Sequence, residues 1–125
     1  MTTMPIPSVD GIVPVPLHIK SLRERGFNQS LLVARKLSQS IRIPLFMDML
    51  IKNKETLPQI GLSARQRRVN IRNAFSVTGD ARGMQILLFD DVMTTGATVR
   101  ECSRELLKAG AREVIVMTLA RPRMA

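Results

Sequence analysis

The chain has 125 residues, short of the roughly 150 usually allotted to one domain, and its 45% apolar and 23% charged composition excludes a disordered chain. Lys and Arg total 19 against 10 acids, and a net charge of +9 favours polyanionic partners such as nucleic acid, nucleotides or polyphosphates. The single cysteine, Cys102, excludes an internal disulfide framework and a cysteine-built zinc site, and the apolar runs are too short to cross a bilayer.

In chain order, residues 1–11 read as a weakly structured lead-in, broken by Pro5, Pro7 and Gly11. Ile12–Leu17 reads as a short strand whose two prolines confine it to an edge or to a strand end. From Phe27 the apolar residues Phe27, Leu31, Ala34, Leu37 and Ile41 recur at spacings of four, three, three and four. That spacing predicts an amphipathic helix, closed by Pro44. Leu45–Ile51 is expected to be a strand and Lys52–Gly61 a loop. Ser63 followed three residues later by Gln66 is a capping box, so a helix opens there. It carries Arg65, Arg67, Arg68 and Arg72 with no acid between them. Ala74–Val77 reads as a short strand, and Thr78-Gly79-Asp80 and Gly83 as turns.

Ile86-Leu87-Leu88-Phe89 is a continuous apolar run, the pattern of a strand buried on both faces and ended by Asp90-Asp91. A polar loop at 94–98 leads into a helix with Val99, Cys102, Leu106 and Ala109 on one face. Thr98 and Glu101 fit a capping box at its start, and Gly110 a stop at its end. Val114–Leu119 is expected to be a second buried strand. Strand, loop, helix and strand make a βαβ unit, which implies a parallel sheet. The whole chain reads as one domain, 1–125.

The strongest chemical signal is the join of the buried strand to the helix. Two carboxylates, Asp90 and Asp91, arrive at a strand's carboxyl end, where open parallel sheets bind ligands. Gly96 and Ala97 permit close backbone approach. The amides of 94–98, the hydroxyls of Thr94, Thr95 and Thr98, and the helix N-terminus suit an anion. A phosphate beside a polyol, as in a phosphorylated sugar, satisfies both halves. The plainer reading is a solvated pair of strand-end acids followed by an ordinary turn. No Gly-Lys-Ser/Thr phosphate loop and no Gly-x-Gly-x-x-Gly fingerprint is present. A second pattern, Pro14-Val15-Pro16-Leu17-His18 followed by Arg23-Glu24-Arg25-Gly26-Phe27-Asn28-Gln29, puts the cations Lys20, Arg23 and Arg25 in a loop after a strand. That loop is either a second anion pocket or a solvated basic turn. Cys102 and the eight methionines read as packing residues, and no metal site is predicted.

The segment 86–98 resembles the phosphoribosyl pyrophosphate motif of type I phosphoribosyltransferases. With the Pro-x-Pro-Leu-His and Arg-Gly-Phe-Asn-Gln segments, the chain resembles the ComF competence proteins of that family over residues 10–121. The resemblance implies an α/β, three-layer fold with a parallel central sheet flanked by helices. It implies that Asp90 and Asp91 bind the ribose hydroxyls and that Thr94, Thr95, Gly96, Ala97 and Thr98 bind the 5-phosphate. Pro16, Leu17, His18, Arg23, Arg25 and Gly26 fall in the pyrophosphate-side loop, and Arg65 and Arg68 in the position of a mobile hood. Magnesium is the implied cofactor, entering with phosphoribosyl pyrophosphate.

Family members carry an upstream cysteine-rich zinc segment and a lead-in helix and strand that this sequence lacks, so a sheet edge is expected to need a partner. Two functions follow. One is an enzyme that transfers phosphoribose to an acceptor, with no catalytic residue assigned. The other is a non-catalytic accessory protein of competence or DNA uptake that binds single-stranded DNA or partner proteins. Phosphorylated ribose, single-stranded DNA, competence proteins and a second copy of the chain are the partner classes, with no membrane partner. With no basic segment leading into an apolar run at the N-terminus, a cytoplasmic protein is expected.

Overall fold

The computed structural model describes residues 8–56, 61–92 and 96–120. Most of the expected lead-in, residues 1–7, lies outside that range. Its remainder is tied down: Asp10 donates its N–H to the Gln85 carbonyl at 2.7 Å, and its Oδ2 accepts the Gln85 N–H at 2.7 Å.

The central sheet has three parallel strands in the order β1 (Gly11–Pro14), β4 (Gln85–Val92) and β5 (Glu113–Ala120). β1 is shorter than expected, ending at Pro14. Leu45 adds a single parallel bridge beside Ile12, on the side of β1 away from β4. The rest of the predicted 45–51 strand goes elsewhere. β2 (Leu50–Lys52) and β3 (Phe75–Val77) pair antiparallel as a separate two-stranded sheet.

Alternation along the strands sends successive side chains to opposite faces. Ile12, Leu87 and Phe89 pack on one face, with Ile115 and Met117 beside them, against Ala34 of α2 (Gln29–Ile41). Val13, Ile86 and Leu88 pack on the other against Val99, Cys102 and Leu106 of α4 (Ala97–Lys108). β2, β3 and α3 (Ala64–Ile71) complete that second layer. The run Ile86–Phe89 is wholly buried because β4 is central and covered on both faces. β5 was expected to be buried as well, but it is the sheet's edge, and Val116 and Leu119 are 40% and 64% exposed. Its apolar sequence resembles that of β4, so pattern alone does not separate centre from edge.

Close packing explains Gly11. A Cβ there would lie 2.3 Å from the Phe46 ring, a separation no packed pair tolerates. Capping explains the helix ends. At Ser63 the hydroxyl accepts the Gln66 N–H, and Gln66 Oε1 accepts the Ser63 N–H, as the sequence predicts. At α4 the expected Thr98–Glu101 box is absent. Gly96, at a φ of 82° that favours glycine, takes the cap position with no side-chain bond, and Thr98 falls inside the first turn. No helix among the described residues is long and apolar enough to cross a membrane.

Candidate phosphate and ribose site at the carboxyl end of β4

β4 runs through Asp90 and Asp91 rather than stopping before them. Both carboxylates are half-buried at the carboxyl end of the central strand. What holds them is Ser30. Ser30 is 4% exposed, and its hydroxyl lies 3.2 Å from Asp90 Oδ1 and 3.0 Å from Asp91 Oδ1, so one proton is shared between two acceptors. Ser30 Oγ also accepts the Asp91 N–H at 3.1 Å. One buried side chain therefore sets the position of both acids and of the backbone between them.

Ser30 was not among the residues singled out from the sequence. The signal was its place four residues before Ala34, on the buried side of α2, where a hydroxyl needs partners. Phe27, taken as the first residue of the apolar stripe, lies before the helix and is 49% exposed. The helix starts two residues later, at Gln29, because Asn28 is its N-cap. Asn28 Oδ1 accepts the Leu31 N–H, while Nδ2 donates to the Val15 carbonyl at 3.3 Å. Asn28 thus fastens α2 to the end of β1, and that places Ser30 over β4.

The electrostatics follow from this crowding. Burial, then the adjacent Asp91 carboxylate, raises the pKa of Asp90 to about 6, and the Ser30 hydroxyl opposes the rise. Two partly desolvated acids side by side form a strained acceptor pair, relieved by a ligand that donates hydrogen bonds or brings positive charge.

The segment after β1 emerges beside the pair, because Val15 donates to the Phe89 carbonyl at 2.8 Å and Pro14 is in register with Phe89. Residues 16–26 are not all loop, however. Ile19–Arg25 form a short helix, α1, with no buried residue. His18 caps it, its Nδ1 accepting the Lys20 N–H at 3.2 Å, and Gly26 closes it at a φ of 79°. Pro16 and Leu17 are half-buried in the connection, while Arg23 and Arg25 are exposed in the last turn. Lys20 pairs with Glu55 at 3.6 Å.

Beyond the carboxylates, Gly96, Ala97 and Thr98 are half-buried at the start of α4, whose first turn has no acid. Thr94 and Thr95 lie outside the described residues. Cys102 is fully buried, and burial pushes its thiol's pKa far up, so it is a packing residue, not a nucleophile. Among the described residues, no cluster of three or more His, Cys, Asp or Glu could hold a metal ion.

Arg65 and Arg68 line a cleft of about 510 Å³ between α3 and α4, together with Arg72, Arg100 and Arg104 and with Ala97 at the start of α4, while neither Asp90 nor Asp91 lines it. The contributions of α4 to that cleft were missed because Arg100 and Arg104 alternate with Glu101 and Glu105 in sequence, which reads as a solvated helix face.

Comparison with known proteins agrees with this architecture. The chain is 40% identical over 115 residues to competence protein F of Haemophilus influenzae, covering 90% of this chain and 50% of that protein. It is 39% identical over 112 residues to the DNA utilization protein YhgH of Escherichia coli, covering 90% and 49%. The chain thus spans about half the length of the curated relatives it matches. Among solved structures it resembles the glutamine phosphoribosylpyrophosphate amidotransferase of B. subtilis, with a TM-score of 0.63 and 26% identity over 92% of this chain and 23% of that one. The purine phosphoribosyltransferase of Pyrococcus horikoshii shares the fold, with a TM-score of 0.56 and 23% identity over 90% and 60%. Residues 28–124 match the model of the phosphoribosyl transferase domain, and the chain belongs to that family.

Proposed function

We propose that the carboxyl end of β4 binds a phosphorylated ribose of the phosphoribosyl pyrophosphate type. Asp90 and Asp91 accept hydrogen bonds from the two adjacent ribose hydroxyls, and residues 94–98 take the 5-phosphate. The observation that carries this reading is the buried Ser30 hydroxyl, which holds two carboxylates side by side at the end of a central parallel strand. A vicinal diol offers two donors at the spacing such a pair requires, and the start of α4 offers backbone amides to an anion. Arg23 and Arg25, in the last turn of α1, are the cations this reading assigns to the pyrophosphate.

Magnesium fits this arrangement as a companion of the ligand. Asp90 and Asp91 supply hard oxygen donors, and magnesium commonly uses one or two carboxylates together with substrate phosphates. When bound it supplies positive charge that neutralises the polyphosphate. With pyrophosphate as leaving group, transfer of phosphoribose to an acceptor is the reaction the site allows, driven by orientation and electrostatics.

A second reading is a DNA-handling protein that keeps the fold without turnover. The +9 charge and the arginine cleft favour it, as do the names of the relatives.

Calorimetric titration of phosphoribosyl pyrophosphate with magnesium tests the first reading. Wild type is expected to bind, and the Asp90→Asn, Asp91→Asn double variant to bind at least about 100-fold more weakly. Two charge-assisted hydrogen bonds, at about 1.5–3 kcal/mol each, account for that loss. Equal affinity in the two proteins would refute the assignment.

A further inference from the structure

β5 is the edge of the sheet, and its sequence leaves that edge open. From Glu113 to Ala120 it pairs on one side with β4, and among the described residues no strand lies on the other. A free edge is a template for another strand, so folded proteins usually blunt it with a lysine, a proline or an inward-pointing charge. Residues 114–120 contain none of these, and none of the chain's 19 cations lies in β5. The side chains are under-covered as well. From Glu113 to Leu119 no residue is buried, and Val116 and Leu119 are exposed. Leu107 is exposed too, on the helix α4 that packs against β5.

The pattern of β5 is self-complementary. Glu113, Ile115, Met117 and Leu119 share one face of the strand, the face on which Ile115 and Met117 meet the α2 layer. An antiparallel copy centred on Met117 sets that methionine opposite its own mate and Ile115 opposite Leu119, twice by symmetry. Such directly opposed pairs are the unit of sheet stabilisation. The same register sets Glu113 opposite position 121, which is an arginine in the sequence. Glu113 is exposed, and among the described residues no cation pairs with its carboxylate. Arg112 falls opposite position 122, a proline that cannot donate to a ladder, so the pairing ends there. Moving the centre by one residue breaks the match. Centred on Val116, the register sets Glu113 opposite Leu119; centred on Thr118, it sets Arg121 opposite Ile115.

We propose that two copies of this chain pair antiparallel along β5, with the two-fold axis at Met117, to form one continuous six-stranded sheet. The charge of +9 on each copy opposes association, but the edge itself is free of cations and brings two ion pairs of opposite sign together at its ends. Because β4 runs parallel to β5, the carboxyl ends of the two β4 strands face opposite ways, and both candidate ribose sites stay open. The inference is independent of what those sites bind.

The test is sedimentation velocity across micromolar to submillimolar protein, with far-ultraviolet circular dichroism to check that each variant folds. Wild type is expected to pass from monomer to dimer. Leu119→Lys, at an exposed position, is expected to stay monomeric. Glu113→Arg sets arginine against arginine twice and is expected to weaken the dimer about tenfold. Glu113→Arg combined with Arg121→Glu restores the wild-type affinity. Oxidation reads the register directly. Opposed Cα atoms in an antiparallel ladder lie about 4.5–5.5 Å apart, within reach of a disulfide, so the Met117→Cys variant is expected to crosslink to its mate. The Ile115→Cys variant is not, since its opposite residue is Leu119, and Cys102 is buried in every variant.

A wild type that stays monomeric at every concentration would overturn the proposal and leave the edge to another chain. A dimer indifferent to both Leu119→Lys and Glu113→Arg would place the interface elsewhere on the molecule. Failure of the charge swap to restore the dimer, or crosslinking of the Ile115→Cys variant in place of the Met117→Cys variant, would overturn the register. Species larger than a dimer would overturn the closed two-fold pairing, which uses up the β5 edge.

Discussion

The two charged regions of this molecule are built in opposite ways. The acids at the end of β4 are few, half-buried and tied to one buried hydroxyl. The arginines of the α3–α4 cleft are many and exposed, and only Arg104 among them forms a direct ion pair, with Glu101 and Glu105. A buried charge is costly unless its partners are in place, so the acid pair constrains the fold around it. An exposed charge costs the fold little and acts over a Debye length, about 8 Å at physiological salt. The first arrangement suits a small ligand of defined shape. The second suits an extended polymer whose binding varies with salt.

The largest expected separation between the two regions comes from neutralising the acids. Besides abolishing tight ligand binding, Asp90→Asn is expected to stabilise the empty protein at neutral pH. Because the folded-state pKa of Asp90 is raised to about 6, the folded protein holds its proton where the unfolded chain has lost it. Its contribution to stability is complete below about pH 4, the ordinary carboxyl range, and is lost as pH rises through 6. After allowance for solvent screening at a half-buried group, the loss is about 1–2 kcal/mol. Chemical denaturation of wild type and Asp90→Asn at pH 4.5 and 7.5 measures it. The variant's advantage should be present at the higher pH and small at the lower. An equal difference at both would mean that the acid is not strained.

Ser30→Ala comes next and should move the other way. It leaves the Asp91 N–H and two carboxylates without their shared partner, at a cost of about 1–3 kcal/mol, and the melting temperature should fall by several degrees. Asp90 should then titrate at a still higher pH, because the hydroxyl that favours its charged form is gone. Carbon-13 chemical shifts of the Asp90 carboxyl against pH report this. A stability loss with no change in that titration would make Ser30 a packing residue only.

The contrast also explains what could be read from the sequence. β4, α4, the turn at Gly110 and the capping box at Ser63 were legible because each depends on residues close together in the chain. So was the acid pair, since two aspartates directly after a buried apolar run announce their own position near the strand's carboxyl end. Ser30 was hidden because its partners lie some sixty residues away and one polar residue on a helix carries no periodic signal. The cleft was half legible. The acid-free row on α3 stood out, but its other wall required knowing that α3 packs against α4. The edge position of β5 was invisible for the same reason: apolar strands at the centre and at the edge read alike until their neighbours are known.

The smallest expected effect is the one that separates the two designs most directly. Arg68→Gln removes an exposed guanidinium with no acidic partner among the described residues, and substitutions of that kind change stability by no more than about 0.5 kcal/mol. Reduced self-repulsion within the cleft even favours a slight gain, largest at low salt, where screening is weakest. Thermal melts of wild type and Arg68→Gln at low and high salt should therefore differ by a degree or two at most, with the variant level or ahead at low salt. A clear loss of stability would show that Arg68 holds α3 in place. The cleft's charge would then serve the fold, and the distinction between a constrained acid pair and an unconstrained basic groove would fail at its basic end.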